Sequence, residues 1–349
     1  MYIEQRSSKG KRSQFKHKLL SLMFNTGIIR VGHQFWGNSL TVLNYHRIDD
    51  ISRPGFDSFK PNVSATLEAF EHQMDYVGRW FNVICVDDLV RWADGLASLP
   101  RNAALITFDD GYLDNLLHAV PILNKHNFSA VIFLAAGHIE SDTPFFWDLA
   151  AYCFHHTQHD RVSFPDGTTK FWKNTTERDK VLIFWIESLK VIPHEKRQGI
   201  VIKLPQELNV AIPHNYFRNL MMNWDQVRDL NSLGIEFGGH TITHPILTRI
   251  TLDAAKNEIK GSKTIIENEL GHHILSFAYP NGGINDFNQD IENITALSGY
   301  KVAFSLLNGP TTLKAVRRNP YAIRRIFISN KHTLPDFSFL VSPLNRYIP

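Results

Sequence analysis

AALITFDDG, Ala103 to Gly111, is the stretch on which both the fold and the chemistry turn. An apolar run, Ala103 to Phe108, ends in two adjacent carboxylates, Asp109 and Asp110, and then a glycine. A run of that length and hydrophobicity reads as a strand buried on both faces, and in such sheets the residues just past a strand's carboxyl end face the ligand site. Two carboxylates side by side there repel each other unless a cation or a shared proton relieves them. Far downstream, GIEFGGHTITH carries another short apolar run into His240 and His244, again beyond a strand end. One aspartate and two histidines make a metal-ligand set.

Outward from that stretch, strand-like runs alternate with helical ones from Leu40 onward, which predicts an α/β protein with a parallel sheet or barrel. The runs are LTVLNY, FNVICV, AALITF, SAVIFLA, GIEFG, ILSFAY, YKVAFS and RRIFIS, and eight of them suit a barrel. Helices are expected at Ala65 to Trp80, at Trp224 to Ser232, and at Leu252 to Leu270 between an N-capping Thr251 and a terminating Gly271. Pro121 predicts a loop after Asp110 with a short helix restarting at the proline. Between Phe145 and Met222 the alternation lapses, and residues 145–222 read as a helical lobe inserted on one side of the barrel. Within it, His155, His156 and His159 read as a solvated loop rather than a metal site, because only Asp160 lies at suitable spacing. Phe145, Phe146, Trp147, Phe171 and Trp172 are candidates for stacking on sugar rings, with core packing as the default for most of them.

Composition narrows the function classes. Of 349 residues 43% are apolar, enough for a substantial core. A formal charge of +3 with no long block of like charge outside the N-terminus gives no case for nucleic-acid binding. The two cysteines, Cys85 and Cys153, sit in apolar runs and read as buried free thiols. Residues 1–38 form a basic, amphipathic N-terminal segment. Its stretch Phe15 to Gly32 is broken by Asn25, Thr26 and Gly27, unlike a secretory signal, and no segment approaches the roughly 18 apolar residues of a membrane span. It is expected either to pack on the domain or to rest on an anionic membrane surface. The expected location is the cytoplasm, or the inner face of the membrane if that segment makes peripheral contact.

Four motifs occur in order: LNYHRI at Leu43 to Ile48, TFDDGY at Thr107 to Tyr112, HTITHP at His240 to Pro245, and FAYPNG at Phe277 to Gly282. Together they resemble the polysaccharide deacetylases, the NodB-homology carbohydrate esterases, over roughly Ser39 to Ile328. The resemblance implies a deformed (β/α) barrel spanning 39–349 with the lobe inserted. It also implies a metal-dependent hydrolase that removes N-acetyl groups from amino sugars in a poly- or oligosaccharide. In that reading Asp109 is the general base, and Asp110, His240 and His244 hold one divalent metal. Zinc suits the set best, with cobalt, nickel or iron as alternatives. An open coordination position then holds a water and polarises the amide carbonyl, and a backbone amide near Gly111 and Tyr112 helps hold the developing oxyanion.

Two departures from the family pattern stand out. The usual C-terminal Leu–His strand end is missing, since RRIFIS ends in Ser329 and Asn330. Strand LTVLNYH at the start of the domain has that form instead, as in circularly permuted members, which makes His46 the expected general acid. Ala278 stands where the family's arginine would be sought, so Arg47, Arg324 or Arg325 is expected to replace it. Tyr112, Tyr279, Pro280 and Asn281 are expected to contact the sugar. The missing elements also leave open a carbohydrate-binding pseudoenzyme, and a hydrolase of another linear amide or formamide is a further alternative.

Overall fold

The computed structural model describes residues 18–29 and 39–346. The basic stretch before Lys18, both ends of the expected Phe15 to Gly32 element, and residues 347–349 lie outside the described residues. A nine-stranded sheet forms the centre. Its strands are β1 Ser39–Tyr45, β2 Asn82–Val83, β3 Ala103–Asp110, β4 Val131–Leu134, β5 Glu236–Gly239, β6 Ser276–Ala278, β7 Val302–Phe304, β8 Thr311–Thr312 and β9 Ile326–Phe327. The order β7-β6-β5-β4-β3-β1 is parallel throughout, with β9 parallel on the far side of β1 and β8 antiparallel at its start. Phe304 bridges to Ile323 in parallel, so the segment leading into β9 joins β7 back towards β1 and the sheet curls into a barrel.

Strand parity sorts the core into two faces. Leu40, Val42, Leu105, Val131, Phe133, Ala278, Val302 and Phe304 fill the barrel interior, while their alternating neighbours Leu43, Tyr45, Ile106, Phe108, Ile132 and Phe277 pack outward on the helices. One of the eight expected strands is cut short. FNVICV contributes only β2, which pairs with Ala103 and Ala104 at the start of β3. Cys85 then turns the chain into helix α2, Val86–Ala93, through a capping box with Asp88, and that ends the strand.

Helix α1 is Leu67–Trp80, capped by Thr66; Ala65, expected in it, instead ends a short strand, Val63–Ala65, that pairs with Arg47–Ile48. The chain after Asp110 corrects the expected loop. A π-helical turn at Asn115–Ala119 runs directly into helix α3, Val120–Lys125. Pro121 lacks an N–H and its ring crowds the preceding turn, and the wider turn before it relieves both conflicts without breaking the helix.

The lobe comprises α4 Phe146–His156, α5 Thr175–Lys190, α6 His194–Val201 and α7 Leu204–Glu207. A two-stranded hairpin, Arg161–Ser163 with Thr169–Phe171, lies within what the sequence reads as a helical lobe. Phe154, Trp185, Leu189 and Leu204 make its own core, which reaches the barrel through Tyr112 and Ala135. Beyond it lie α8 Trp224–Ser232, α9 Leu252–Leu270, α10 Gln289–Leu297, α11 Leu313–Arg318 and α12 Leu334–Leu340. Thr251 caps α9 and Gly271, at φ 74°, ends it as expected. Residues 18–25 are helical, and Leu20 and Ile29 are buried against Phe339 of α12, while Leu19, Leu22 and Ile28 remain exposed. No helix among the described residues is long and apolar enough to cross a membrane.

Candidate active site

Every residue of β3 is buried, so its two terminal carboxylates end the strand with almost no exposed surface. Asp109 shares the inward parity of Leu105 and Thr107, and Arg325 meets it there. Arg325 Nη1 and Nη2 lie 2.6 and 2.8 Å from the two Asp109 oxygens, a bidentate pair with the guanidinium fully buried. Asn44 Nδ2 donates to the same carboxylate at 2.9 Å, and Arg325 is itself held by the Ser305 carbonyl and the Thr107 hydroxyl. Burial pushes the Asp109 carboxyl up, but Arg325, with His240 and His46 adding, outweighs it and leaves it at about 2.

Asp110 is different. Its backbone takes φ 79°, and Gly111 follows at φ 90° with Leu134 and Ile139 so close that a Cβ there would sit 2.8 and 2.9 Å from them. That sharp reversal swings the carboxylate towards His240 and His244. Both histidine Nε2 atoms lie near one Asp110 oxygen, at 3.6 and 3.4 Å, and 3.2 Å from each other. Thr241 and His244 also adopt left-handed backbone, at φ 67° and 56°. For a β-branched threonine this is a strained conformation of the kind that concentrates at functional sites. The Thr241 hydroxyl holds the reversal by accepting from the His244 amide at 3.0 Å.

The donor set asks for a cation. His240 Nδ1 donates its proton to the Ala278 carbonyl at 2.7 Å, so Nε2 presents a lone pair. Both oxygens of Asp110 are buried without a hydrogen-bond partner. Burial, with Asp109 and Asp148 adding, pushes the Asp110 carboxyl well up, while burial holds the His240 imidazole down, and burial with His240, His138 and Arg197 adding holds His244 well down. Three potential ligand atoms thus converge, at separations close to the roughly 3.3 Å edge of a tetrahedron with bonds of about 2.0–2.1 Å. Among the described residues this is the one cluster of three with metal-ligand spacing. His155 and His156 instead face Asp179 and Asp57, at 3.7 and 2.9 Å.

These groups line a cavity of about 880 Å3 that His46, Trp147 and Asn281 also line. His46 follows β1, and its Nδ1 has no partner. Burial lowers its imidazole to about 4, opposed by Asp109 and assisted by Arg325 and His240. Trp147 packs its ring edge-on to His244 at 5.0 Å and stacks on Phe145 at 4.5 Å.

Three of the expected sugar contacts are corrected. Tyr112 is fully buried, donating to Asp148 at 2.7 Å and accepting from Trp147 Nε1 at 2.8 Å, so it braces the cavity wall from behind. Tyr279 is also fully buried, stacked on Phe287 with its hydroxyl on the Tyr321 carbonyl, and Pro280 is buried beside it. Of the four, Asn281 alone lines the cavity. The arginine is resolved as Arg325. Arg47 is engaged with Asp114 at 2.6 Å and Asp49 at 3.4 Å, and Arg324 points outward and is exposed. Asn44 escaped the sequence reading, although its inward parity with Val42, on the strand beside Asp109 and in register with Thr107, was the available signal.

A family model described as Polysaccharide deacetylase matches residues 97–177 and 202–303, more than half of the chain. The chain belongs to the polysaccharide deacetylase family. Its members hydrolyse non-peptide amide bonds, and the matched stretches carry Asp109, Asp110, His240 and His244 but neither His46 nor Arg325. The fold is shared with the Streptococcus pyogenes deacetylase PplD solved with acetate, at 16% identity and TM-score 0.58 over 88% of this chain and 100% of that one. IcaB from Ammonifex degensii gives 17% and 0.54 over 87% and 97%. A de-N-acetylase from Aggregatibacter actinomycetemcomitans gives 17% and 0.55 over 86% and 99%. No curated protein matches the chain.

Proposed function

We propose that this polysaccharide deacetylase is metal-dependent and removes N-acetyl groups from amino sugars of a poly- or oligosaccharide, with Asp110, His240 and His244 holding a divalent ion. Zinc fits the ligand set best, with cobalt, nickel and iron as alternatives. When bound, the ion lowers the pKa of a water and polarises the acetamido carbonyl. The observation that carries this reading is the convergence of one carboxylate and two imidazoles, the carboxylate oxygens without a hydrogen-bond partner, beside a second carboxylate that a buried arginine keeps ionised.

Asp109, oriented by Arg325 and Asn44, accepts the proton of the attacking water. With its pKa near 2 it holds that proton only briefly. His46, neutral and with Nδ1 unpartnered, is the group suited to take up the proton and deliver it to the sugar nitrogen as the C–N bond breaks. The products are acetate and a free amine. Trp147 and Asn281 border the space where the sugar ring lies. The features whose absence favoured a pseudoenzyme, an arginine on Asp109 and a histidine at the cavity, are supplied by Arg325 and His46.

The test is acetate release from N-acetylated oligosaccharides by purified protein, abolished by EDTA and restored by zinc or cobalt. Release that persists in both Asp110→Ala and His240→Ala would overturn the proposal. Handling of the substrate inside the cell, with the N-terminal segment against the membrane, is a companion proposal supported by exposed Leu19, Leu22 and Ile28. Loss of vesicle binding on replacing those three residues by serine is its check.

A further inference from the structure

A second cavity, of about 1080 Å3, lies on the flank of the barrel, between the segment Leu307–Thr312 with α11 and the facing helix α12. Lys331 lines both this cavity and the one holding the metal-ligand cluster, so the two adjoin across that side chain. Its charged lining is one-sided. Arg318, Arg324 and Lys331 contribute cations, and Asp336 is the one carboxylate among the described lining residues. Asp336 is turned to its own helix, where its Oδ2 accepts from the Thr333 amide and hydroxyl at 3.0 and 2.6 Å in a capping box.

The neighbouring groove is balanced differently. There Lys60 and Lys190 pair with Asp179 and Glu187, each at 2.7 Å. Among the described residues no carboxylate pairs with Arg318, Arg324 or Lys331. Uncompensated cations around a concavity focus a positive potential, and the planar arginine fork matches the oxygens of a phosphate. Leu20, Phe339 and Leu340 form an apolar wall beside them.

We propose that this flank cavity is an anion site, which holds the phosphate of a saccharyl phosphate ester while the N-acetylated sugar of the same molecule occupies the groove. The proposal rests on the deacetylase reading of that groove. Nucleotide-linked and lipid-linked sugars both present the required phosphate.

The experiment measures pyrophosphate binding to the full-length protein by calorimetry at about 0.15 M salt, where surface attraction is screened beyond about 8 Å. Wild type is expected to bind, and Arg318→Gln with Arg324→Gln to bind at least about tenfold more weakly, with an unchanged circular dichroism spectrum. Two further arms use uridine diphosphate N-acetylglucosamine and a farnesyl diphosphate-linked N-acetylglucosamine in micelles. The arm that binds more tightly identifies the source of the phosphate. The double variant is also expected to lose the preference, as a ratio of kcat/KM, for the phosphorylated over the neutral saccharide. Equal pyrophosphate binding by wild type and variant, or none by either, overturns the proposal. Weakened pyrophosphate binding in a protein that releases acetate from no saccharide removes the deacetylase reading and leaves the anion site supported.

Discussion

At the scale of single residues, the site separates two neighbouring aspartates into different electrostatic roles. Arg325 and Asn44 hold Asp109 ionised, while Asp110 is left bare of donors for a cation to claim. Asp109→Asn is expected to lower kcat by about 10²–10⁴ with metal content unchanged, because it removes the proton acceptor and keeps the ligands. Elemental analysis and an acetate assay on the same sample check it. The Asp109–Arg325 pair also makes stability depend on pH. Burial raises Asp109 and Arg325 lowers it further, to about 2, against about 3.9 in an unfolded chain. Its folded value is the lower one, so the pair's contribution is fully present above about pH 4 and lost as pH falls through about 2. Acid-unfolding curves of wild type and Asp109→Asn should therefore converge across that window, and a constant gap would refute the assignment. Arg325→Met alone strands a buried carboxylate and should cost about 3–5 kcal/mol in urea unfolding, part of which Arg325→Met with Asp109→Asn recovers. The sequence made the metal ligands and Asp109 legible because those residue types at strand ends have few other uses. It left the arginine open among three candidates, because only strand register tells which side chain faces inward.

At the scale of elements, short strands with glycine-rich ends aim the ligands. Gly239 precedes His240, and a Cβ on it would lie 2.1 Å from the Tyr300 hydroxyl oxygen and 3.1 Å from Phe277. Gly239→Ala must shift the end of β5, and the expected result is zinc occupancy reduced well below wild type in a protein that still folds. Adding Tyr300→Phe removes the nearest atom and should restore part of that occupancy, as metal analysis would reveal. Helix bounds such as Thr251 to Gly271 were readable, since capping chemistry is local. The truncated β2 and the π-helical turn before Pro121 were not. The first depends on where Cys85 and Asp88 close a cap and the second on how a helix accommodates a proline, and hydrophobic periodicity reports neither. Tyr112 and Tyr279 looked like sugar contacts for a related reason, since their motif positions place them near the site but parity and packing turn both rings into the core.

At the scale of the whole molecule, the metal-ligand cluster joins the end of β3 to the loop after β5, with the lobe's Trp147 against His244. An ion bound there at 100 times its dissociation constant stabilises the folded state by about 2.7 kcal/mol, or roughly 4 °C in Tm for a chain of this size. Stripping with EDTA should lower Tm by about that amount, and zinc should restore it in wild type but not in His244→Ala. Because burial holds Asp110 well up, protons compete with an ion for its oxygens, so zinc affinity should weaken as pH falls. Calorimetry in buffers of different ionisation enthalpy reads the protons released on binding. One further consequence follows from β1 lying between β3 and β9. The Asp109 carboxylate and the Arg325 guanidinium are 216 positions apart along the chain. A ribosome therefore delivers the acid long before its counter-ion, and a nascent chain released short of Arg325 would harbour an unquenched charge at its centre, marking it for degradation before it could ever touch a saccharide.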